Sequence, residues 1–161
     1  MKKVLVALSL LVATSIASAA DVGVLWDWGH GTNGGDRQAA GVSLGDHFDA
    51  DANTALGKTW VQGTAERSTS GQLNVNRYTA KVGYDVVKFY NITTNVHAGV
   101  AYLDPQSATL GNGTAGLVGF GFAYPVTEKV SLTADYDYQK GNGNSQPFNG
   151  NIITTGVKYS F

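Results

Sequence analysis

The strongest constraint on this chain is a two-residue alternation of apolar and polar side chains that continues after residue 20. Residues 130–138 are apolar at every even position and polar at every odd position, and residues 78–86 and 92–102 follow the same pattern. Period two is that of a β-strand, because successive side chains of a strand point to opposite faces. The sequence therefore predicts an all-β protein.

Eight strands are predicted from this alternation, and the third is the least regular because its small residues leave no clean face. They lie near residues 22–28, 37–48, 54–66, 73–86, 91–103, 114–124, 129–140 and 151–161. Tight connections at 49–53, 87–90 and 125–128 alternate with longer Gly-, Asn- and Ser-rich ones at 29–36, 67–72, 104–113 and 141–150. Short turns at one end and longer loops at the other are typical of an antiparallel up-and-down transmembrane β-barrel.

The first 19 residues predict a cleaved signal peptide rather than a strand. Lys2 and Lys3 precede an apolar run over 4–16, and Ala17-Ser18-Ala19 has the small-x-small pattern of a cleavage site. The run is shorter than the roughly 20 residues that a membrane-spanning helix needs. We expect an exported protein whose barrel domain covers residues 20–161.

Alternation alone fits a soluble barrel with its apolar face inward or a membrane barrel with that face in lipid. The apolar face is too bulky for the interior of an eight-stranded barrel, which is just wide enough to be filled by side chains. Aromatic residues also fall near both strand ends, as in the girdles of a bilayer-spanning barrel. The expected girdles contain Trp26, Trp28, Tyr78, Tyr102, Tyr136 and Tyr138 at one end, and Phe48, Tyr84, Phe122, Tyr124, Tyr159 and Phe161 at the other.

The lighter face carries charges of both signs among glycines, which predicts a polar lumen filled by side chains. Ions in so narrow a space must pair or reach water, since an unpaired buried charge costs several kcal/mol. The predicted structural network consists of Asp27, Arg77, Lys81, Asp85, His97, Asp135, Asp137 and Lys158.

Two segments resemble the small eight-stranded outer-membrane barrels of the OmpA transmembrane-domain and OmpX-like type. Residues 119–132 with 135–138 are similar to the penultimate hairpin of OmpA-type barrels, and residues 156–161 resemble the C-terminal signal of outer-membrane barrels. The resemblance implies that Tyr159 and Phe161 are read by the barrel-assembly machinery. It also implies a monomer in the bacterial outer membrane, with lipopolysaccharide outside, phospholipid inside and an envelope-structural or surface-interaction role.

Other functions are weighed against this hypothesis. A narrow, porin-like ion channel is the main alternative, followed by a lipid-modifying outer-membrane enzyme and a soluble lipocalin-like binder. His30, His47 and His97 lack the surrounding motif expected of a lipid A deacylase, so we expect no catalytic residues. Residues 49–53 mimic the start of a calcium loop but lack its glycine and final glutamate, so no metal or cofactor is expected. A net charge of −1 without a basic cluster argues against nucleic acid.

Overall fold

A computed structural model describes residues 20–31, 36–48, 59–70, 74–106 and 111–161. Eight antiparallel strands close into a barrel in chain order, with the last strand paired to the first. The strands are β1 (Ala20–Gly31), β2 (Asp36–Phe48), β3 (Thr59–Ser70), β4 (Val75–Phe89), β5 (Ile92–Pro105), β6 (Gly113–Pro125), β7 (Val130–Gly141) and β8 (Gly150–Ser160). A 3₁₀ helix, Gly143–Phe148, lies between β7 and β8.

The predicted eight-stranded up-and-down barrel is confirmed. The two ends of the barrel carry different connections between strands. We call the end with the connections β1–β2, β3–β4, β5–β6 and β7–β8 the loop end, and the opposite end, where β1 begins and β8 finishes, the turn end. No helix among the described residues is long and apolar enough to cross a bilayer. The predicted signal peptide, residues 1–19, lies outside the described residues and stays a prediction.

Three strands end three or four residues later than predicted. Strand β1 ends at Gly31 instead of 28, and strand β3 ends at Ser70 instead of 66. The predicted start of the third strand at 54 and the candidate calcium segment, 49–53, lie outside the described residues. Strand β4 continues to Phe89, and the turn lies at Tyr90 and Asn91 instead of 87–90. A register shift between Asp85 and Val87 accommodates the extra length, as β-bulges do.

The outward face of the barrel carries a belt of exposed apolar side chains on seven of its eight strands. Val100 and Val118 are 62% and 58% exposed, which a folded protein in water rarely tolerates over a large contiguous patch. This apolar belt is made of Val22, Val24, Val42, Val82, Val96, Val100, Val118, Leu132, Ile153 and Val157.

Exposed aromatic residues flank the apolar belt. Trp28 and Tyr138 lie near the loop end, and Tyr124 and Tyr159 lie near the turn end. Tyr136, which we expected in the loop-end girdle, instead lies in the middle of β7. Its ring stacks on that of Phe120 at a centroid distance of 5.5 Å. The side chain of Phe48, which we expected in the turn-end girdle, is not among those that the structure describes.

Glycines on the inward face make room for large side chains. A Cβ built on Gly83 would lie 2.1 Å from Cζ2 of Trp60, a buried residue of the neighbouring strand β3. A Cβ on Gly116, on the outward face of β6, would meet only the Lys140 carbonyl oxygen at 3.9 Å. A methyl group can therefore be accommodated at Gly116, whereas at Gly83 it requires Trp60 to move.

We expect Gly83→Ala to destabilise the barrel by about 1–3 kcal/mol, because the buried indole of Trp60 would have to leave its packing against Gly83 and His97. Gly116→Ala is the matched control and should leave stability unchanged within about 0.5 kcal/mol. Urea unfolding in detergent micelles measures both free energies. Equal transition midpoints for the two variants would contradict the packing described for Trp60.

Candidate functional site

The first cluster of lumen charges is centred on Arg77 of β4, whose side chain is 1% exposed. Its Nε lies 2.8 Å from Oε2 of Glu66, and its Nη2 lies 3.6 Å from Oδ2 of Asp27. Arg37 approaches the same Asp27 oxygen at 3.8 Å. The Thr64 hydroxyl donates to Oε1 of Glu66 at 2.7 Å. Strands β1 to β4 thus contribute two carboxylates and two guanidinium groups to one buried cluster.

The second cluster is centred on Asp137 of β7, whose side chain is 0% exposed. Lys81 Nζ lies 2.5 Å from its Oδ2, and His97 Nε2 lies 2.7 Å from its Oδ1. The other ring nitrogen of His97 is 2.9 Å from the Asn95 amide oxygen, and the Trp60 ring lies 5.6 Å from that of His97. Asp137 therefore has a partner for each oxygen, so its burial is compensated.

The third cluster lies at the turn end around Asp21. Its Oδ2 is 3.0 Å from His47 Nδ1 and 3.2 Å from Lys158 Nζ, while the Ser160 hydroxyl donates to Oδ1. The cluster lines a polar cavity of about 250 Å³, together with Asp85 and Asp135. The lumen is therefore hollow near the turn end.

An apolar cluster near the loop end of the lumen was not anticipated by the sequence analysis. Phe148, at the end of the 3₁₀ helix, packs with Val75, Leu103 and Ala115 in one buried cluster. The side-chain amide of Gln139 donates to the Phe148 carbonyl at 3.0 Å. We call these four apolar residues the loop-end cap. Val75, Leu103 and Ala115 lie on the adjacent strands β4, β5 and β6, so the cap packs Phe148 against this part of the wall.

All eight residues of the predicted lumen network lie on inward-facing positions, and the structure distributes them among the three clusters. Asp27 and Arg77 belong to the first, Lys81, His97 and Asp137 to the second, and Lys158 to the third, while Asp85 and Asp135 line the turn-end cavity.

Asp21, Arg37, His47 and Glu66 complete these clusters and were missed. Asp21 and Asp27 are both odd-numbered residues of β1, and Arg37 and the buried Ser43 are both odd-numbered residues of β2. Alternation could therefore have placed Asp21 and Arg37 on the inward face. Glu66 is the last residue of the predicted third strand, which has no distinct face, so its inward orientation could not be assigned.

Within the part of the chain that the structure describes, the histidines form no nucleophile-activating arrangement. In the turn-end cluster the carboxylate of Asp21 lies between the Ser160 hydroxyl and the His47 ring, whereas a triad needs the imidazole in the middle. His97 is buried against Asp137, and His30 pairs with Asp36 at 2.7 Å at an exposed site. No group of three or more metal-ligating side chains occurs among the described residues.

No protein-family profile and no curated protein matches this sequence. Among solved structures, the N-terminal β-barrel domain of Pseudomonas aeruginosa OprF superposes with a TM-score of 0.65 at 17% identity, covering 89% of this chain and 97% of that chain. Neisserial surface protein A superposes with a TM-score of 0.60 at 17% identity, covering 89% and 96%. The outer membrane enzyme PagL gives 0.52 at 14% identity, covering 86% and 98%.

At these identities the superpositions establish the fold alone. The chain has the fold of the small eight-stranded outer-membrane barrels, the class that its sequence resembles. The three superposed proteins include an enzyme, so the fold does not by itself determine an activity.

Replacing Lys81 with Met should destabilise the barrel by about 3–5 kcal/mol, because it removes one partner from a buried ion pair. Adding Asp137→Asn should recover part of that loss, since the amide keeps a hydrogen bond to His97 without a charge. The exposed His30–Asp36 pair provides the control, and Asp36→Ala should cost no more than about 1 kcal/mol. Urea titrations of the four chains in one detergent measure these differences, and an Asp36→Ala loss as large as that of Lys81→Met would contradict the assignment.

Proposed function

We propose that this chain is a non-enzymatic protein of the bacterial outer membrane, with its loop end outside the cell and an envelope-structural or surface-interaction role. The observation that carries the proposal is the separation of the two faces. The apolar belt is exposed around the barrel, while the Lys81–Asp137 and Arg77–Glu66 ion pairs are buried inside it. A lipid bilayer is the surrounding that stabilises this arrangement.

The soluble lipocalin-like alternative requires the opposite arrangement. A carrier of small apolar molecules would place residues such as Val82, Val96 and Leu132 inside the barrel, yet each is about half exposed on the outside. Lys81, which would be a surface charge in such a carrier, is buried. The arrangement of side chains therefore favours a membrane protein over a soluble binder.

The proposal of a non-enzymatic protein rests on the surroundings of the three histidines. A hydrolase acting on lipid would need a hydroxyl within about 3 Å of an imidazole on the lipid-facing side. His97 instead faces the lumen, where its two ring nitrogens contact Asn95 and Asp137. The fold likeness to the outer membrane enzyme PagL is the observation that favours an enzyme.

A narrow channel is the second candidate function, and the turn-end cavity of about 250 Å³ is the observation that favours it. Ions entering there would still have to pass the Lys81–Asp137 pair and the loop-end cap. The buried Phe148 side chain adds apolar groups to this path, and such groups cannot replace the hydration of an ion. We therefore propose a closed barrel.

Tyr159 and Phe161 fit the proposed role in assembly. Their rings lie 5.1 Å apart at the end of β8, and both are exposed on the outside of the barrel. They are thus accessible to a partner that recognises the last strand.

Membrane fractionation tests the proposal. We expect the protein in the outer-membrane fraction, with a band on detergent gels that shifts on boiling because the folded barrel resists detergent. The mass spectrum of lipid A from expressing cells should match that of cells carrying an empty vector. Recovery as a soluble periplasmic protein would contradict the membrane assignment, and a lost acyl chain on lipid A would contradict the non-enzymatic assignment.

Planar-bilayer recording tests the closed lumen. The wild-type barrel should give no regular conductance steps, since the loop-end cap blocks ions. Phe148→Gly should raise the frequency of small openings by removing the largest side chain of the cap. Phe120→Leu, on the outward face, serves as the control and should behave like the wild type. Steady wild-type steps that Phe148→Gly leaves unchanged would favour the channel.

A further inference from the structure

An indentation on the outside of the barrel, near the loop end, is not used by the proposed function. It has a volume of about 380 Å³. We call it the β6–β7 notch, and the outward-facing residues that line it are Gly116, Val118, Tyr138, Lys140 and Asn142.

The β6–β7 notch exists because a glycine occupies an outward position of β6. Thr114 and Val118, the outward residues on either side of Gly116, are both exposed. Gly116 pairs with Val100 on β5 and with Lys140 on β7, so its missing side chain leaves a gap bordered by three strands. A Cβ there would have only the Lys140 carbonyl oxygen within 4 Å, at 3.9 Å. The floor of the notch reaches the backbone at Gly99 and Leu117.

The chemistry of the notch changes along the barrel axis. Val118 and Tyr138 pair across β6 and β7 at the end of the notch nearer the apolar belt, to which Val118 belongs. Gly116 and Lys140 form the next outward pair toward the loop end, and Lys140 is the penultimate residue of β7. In a bilayer, tyrosine rings lie at the level where acyl chains meet headgroups, and lysine extends its ammonium group to the polar side. The notch therefore offers an apolar groove with a cation at its headgroup end.

We propose that the β6–β7 notch binds one molecule of lipid A, with an acyl chain over Gly116 and a phosphate at Lys140. This inference rests on the proposed function, because the loop end must face the outer leaflet for lipid A to reach the notch. Charge complementarity with Lys140 favours lipid A among membrane lipids, because lipid A combines several acyl chains with negatively charged phosphate groups on one headgroup. The exposed Arg67 near the loop end of β3 does not line the β6–β7 notch, which makes it a control for charge alone.

Native mass spectrometry of the detergent-extracted, delipidated protein can test the site. The probes are diphosphoryl lipid A, the same lipid without its phosphates, and phosphatidylglycerol. We expect wild-type protein to retain one lipid A in preference to phosphatidylglycerol. Lys140→Gln should weaken retention about fivefold, the effect of one cation near a charged membrane lipid. Arg67→Gln should leave it unchanged.

Filling the notch tests the acyl-chain contact independently of charge. Gly116→Val should reduce binding of both forms of lipid A, whereas Lys140→Gln should affect only the phosphorylated form. Because a side chain at Gly116 meets open space, the variant should unfold at the wild-type temperature. Ala134→Val adds similar bulk at an exposed position of β7 nearer the turn end and should leave binding unchanged.

Three outcomes would overturn the inference. These are equal losses for Lys140→Gln and Arg67→Gln, unchanged binding in Gly116→Val, and equal retention of lipid A and phosphatidylglycerol by the wild type. Fractionation separates these results from a failure of the proposed function. A heat-modifiable outer-membrane barrel without lipid A preference contradicts the notch assignment alone, whereas a soluble protein contradicts the membrane assignment on which it rests.

Discussion

Pairing of charges across the lumen is the interaction on which the rest of this structure depends. Arg77 and Lys81 lie four positions apart on the inward face of β4, and each would be a buried, uncompensated cation without its partners. Arg77 is neutralised by β1 and β3, while Lys81 reaches Asp137 on β7. Because the Arg77–Asp27 and Lys81–Asp137 pairs join strands that are not neighbours in the sheet, they fix the cross-section of the barrel. They also allow the ions in the middle of the wall to face inward, which leaves the outward belt free to be apolar.

Much of this inward face could be predicted from the sequence, because a strand alternates its faces strictly. Parity alone predicts inward side chains for Asp27, Arg77 and Lys81, and all three are buried in the structure. Their partners could not be predicted, since contacts across the lumen depend on the stagger between strands that alternation does not encode. His97 and Asp137 meet at 2.7 Å although neither lies on a strand adjacent to the other.

Predictions failed where the alternation itself is interrupted. The Thr- and Gly-rich part of β3 has no distinct apolar face, so its end was misplaced and Glu66 was not recognised as the main partner of Arg77. The bulge between Asp85 and Val87 places two consecutive valines, Val86 and Val87, on the exposed side. Two consecutive apolar residues interrupt a period-two pattern, and the interruption indicates the end of a strand. The loop-end cap was missed for a different reason, because Phe148 belongs to a connection, where no periodicity indicates burial.

The segment after β7 connects a residue inside the lumen with a residue on the outward face of the barrel wall. Asn149 accepts a hydrogen bond from the Gly141 amide at 2.6 Å and donates one to its carbonyl at 3.1 Å, which fixes the end of β7. The same clamp holds Phe148, one residue away, inside the lumen and Lys140, on the other side of Gly141, on the outward face. Phe148 in the lumen and Lys140 beside the β6–β7 notch therefore both adjoin residues that are fixed by the same two hydrogen bonds. Because paired charges occupy the interior, the barrel can vary its interactions on its outer wall and its connections, and the proposed site on β6 and β7 uses the space that Gly116 leaves there.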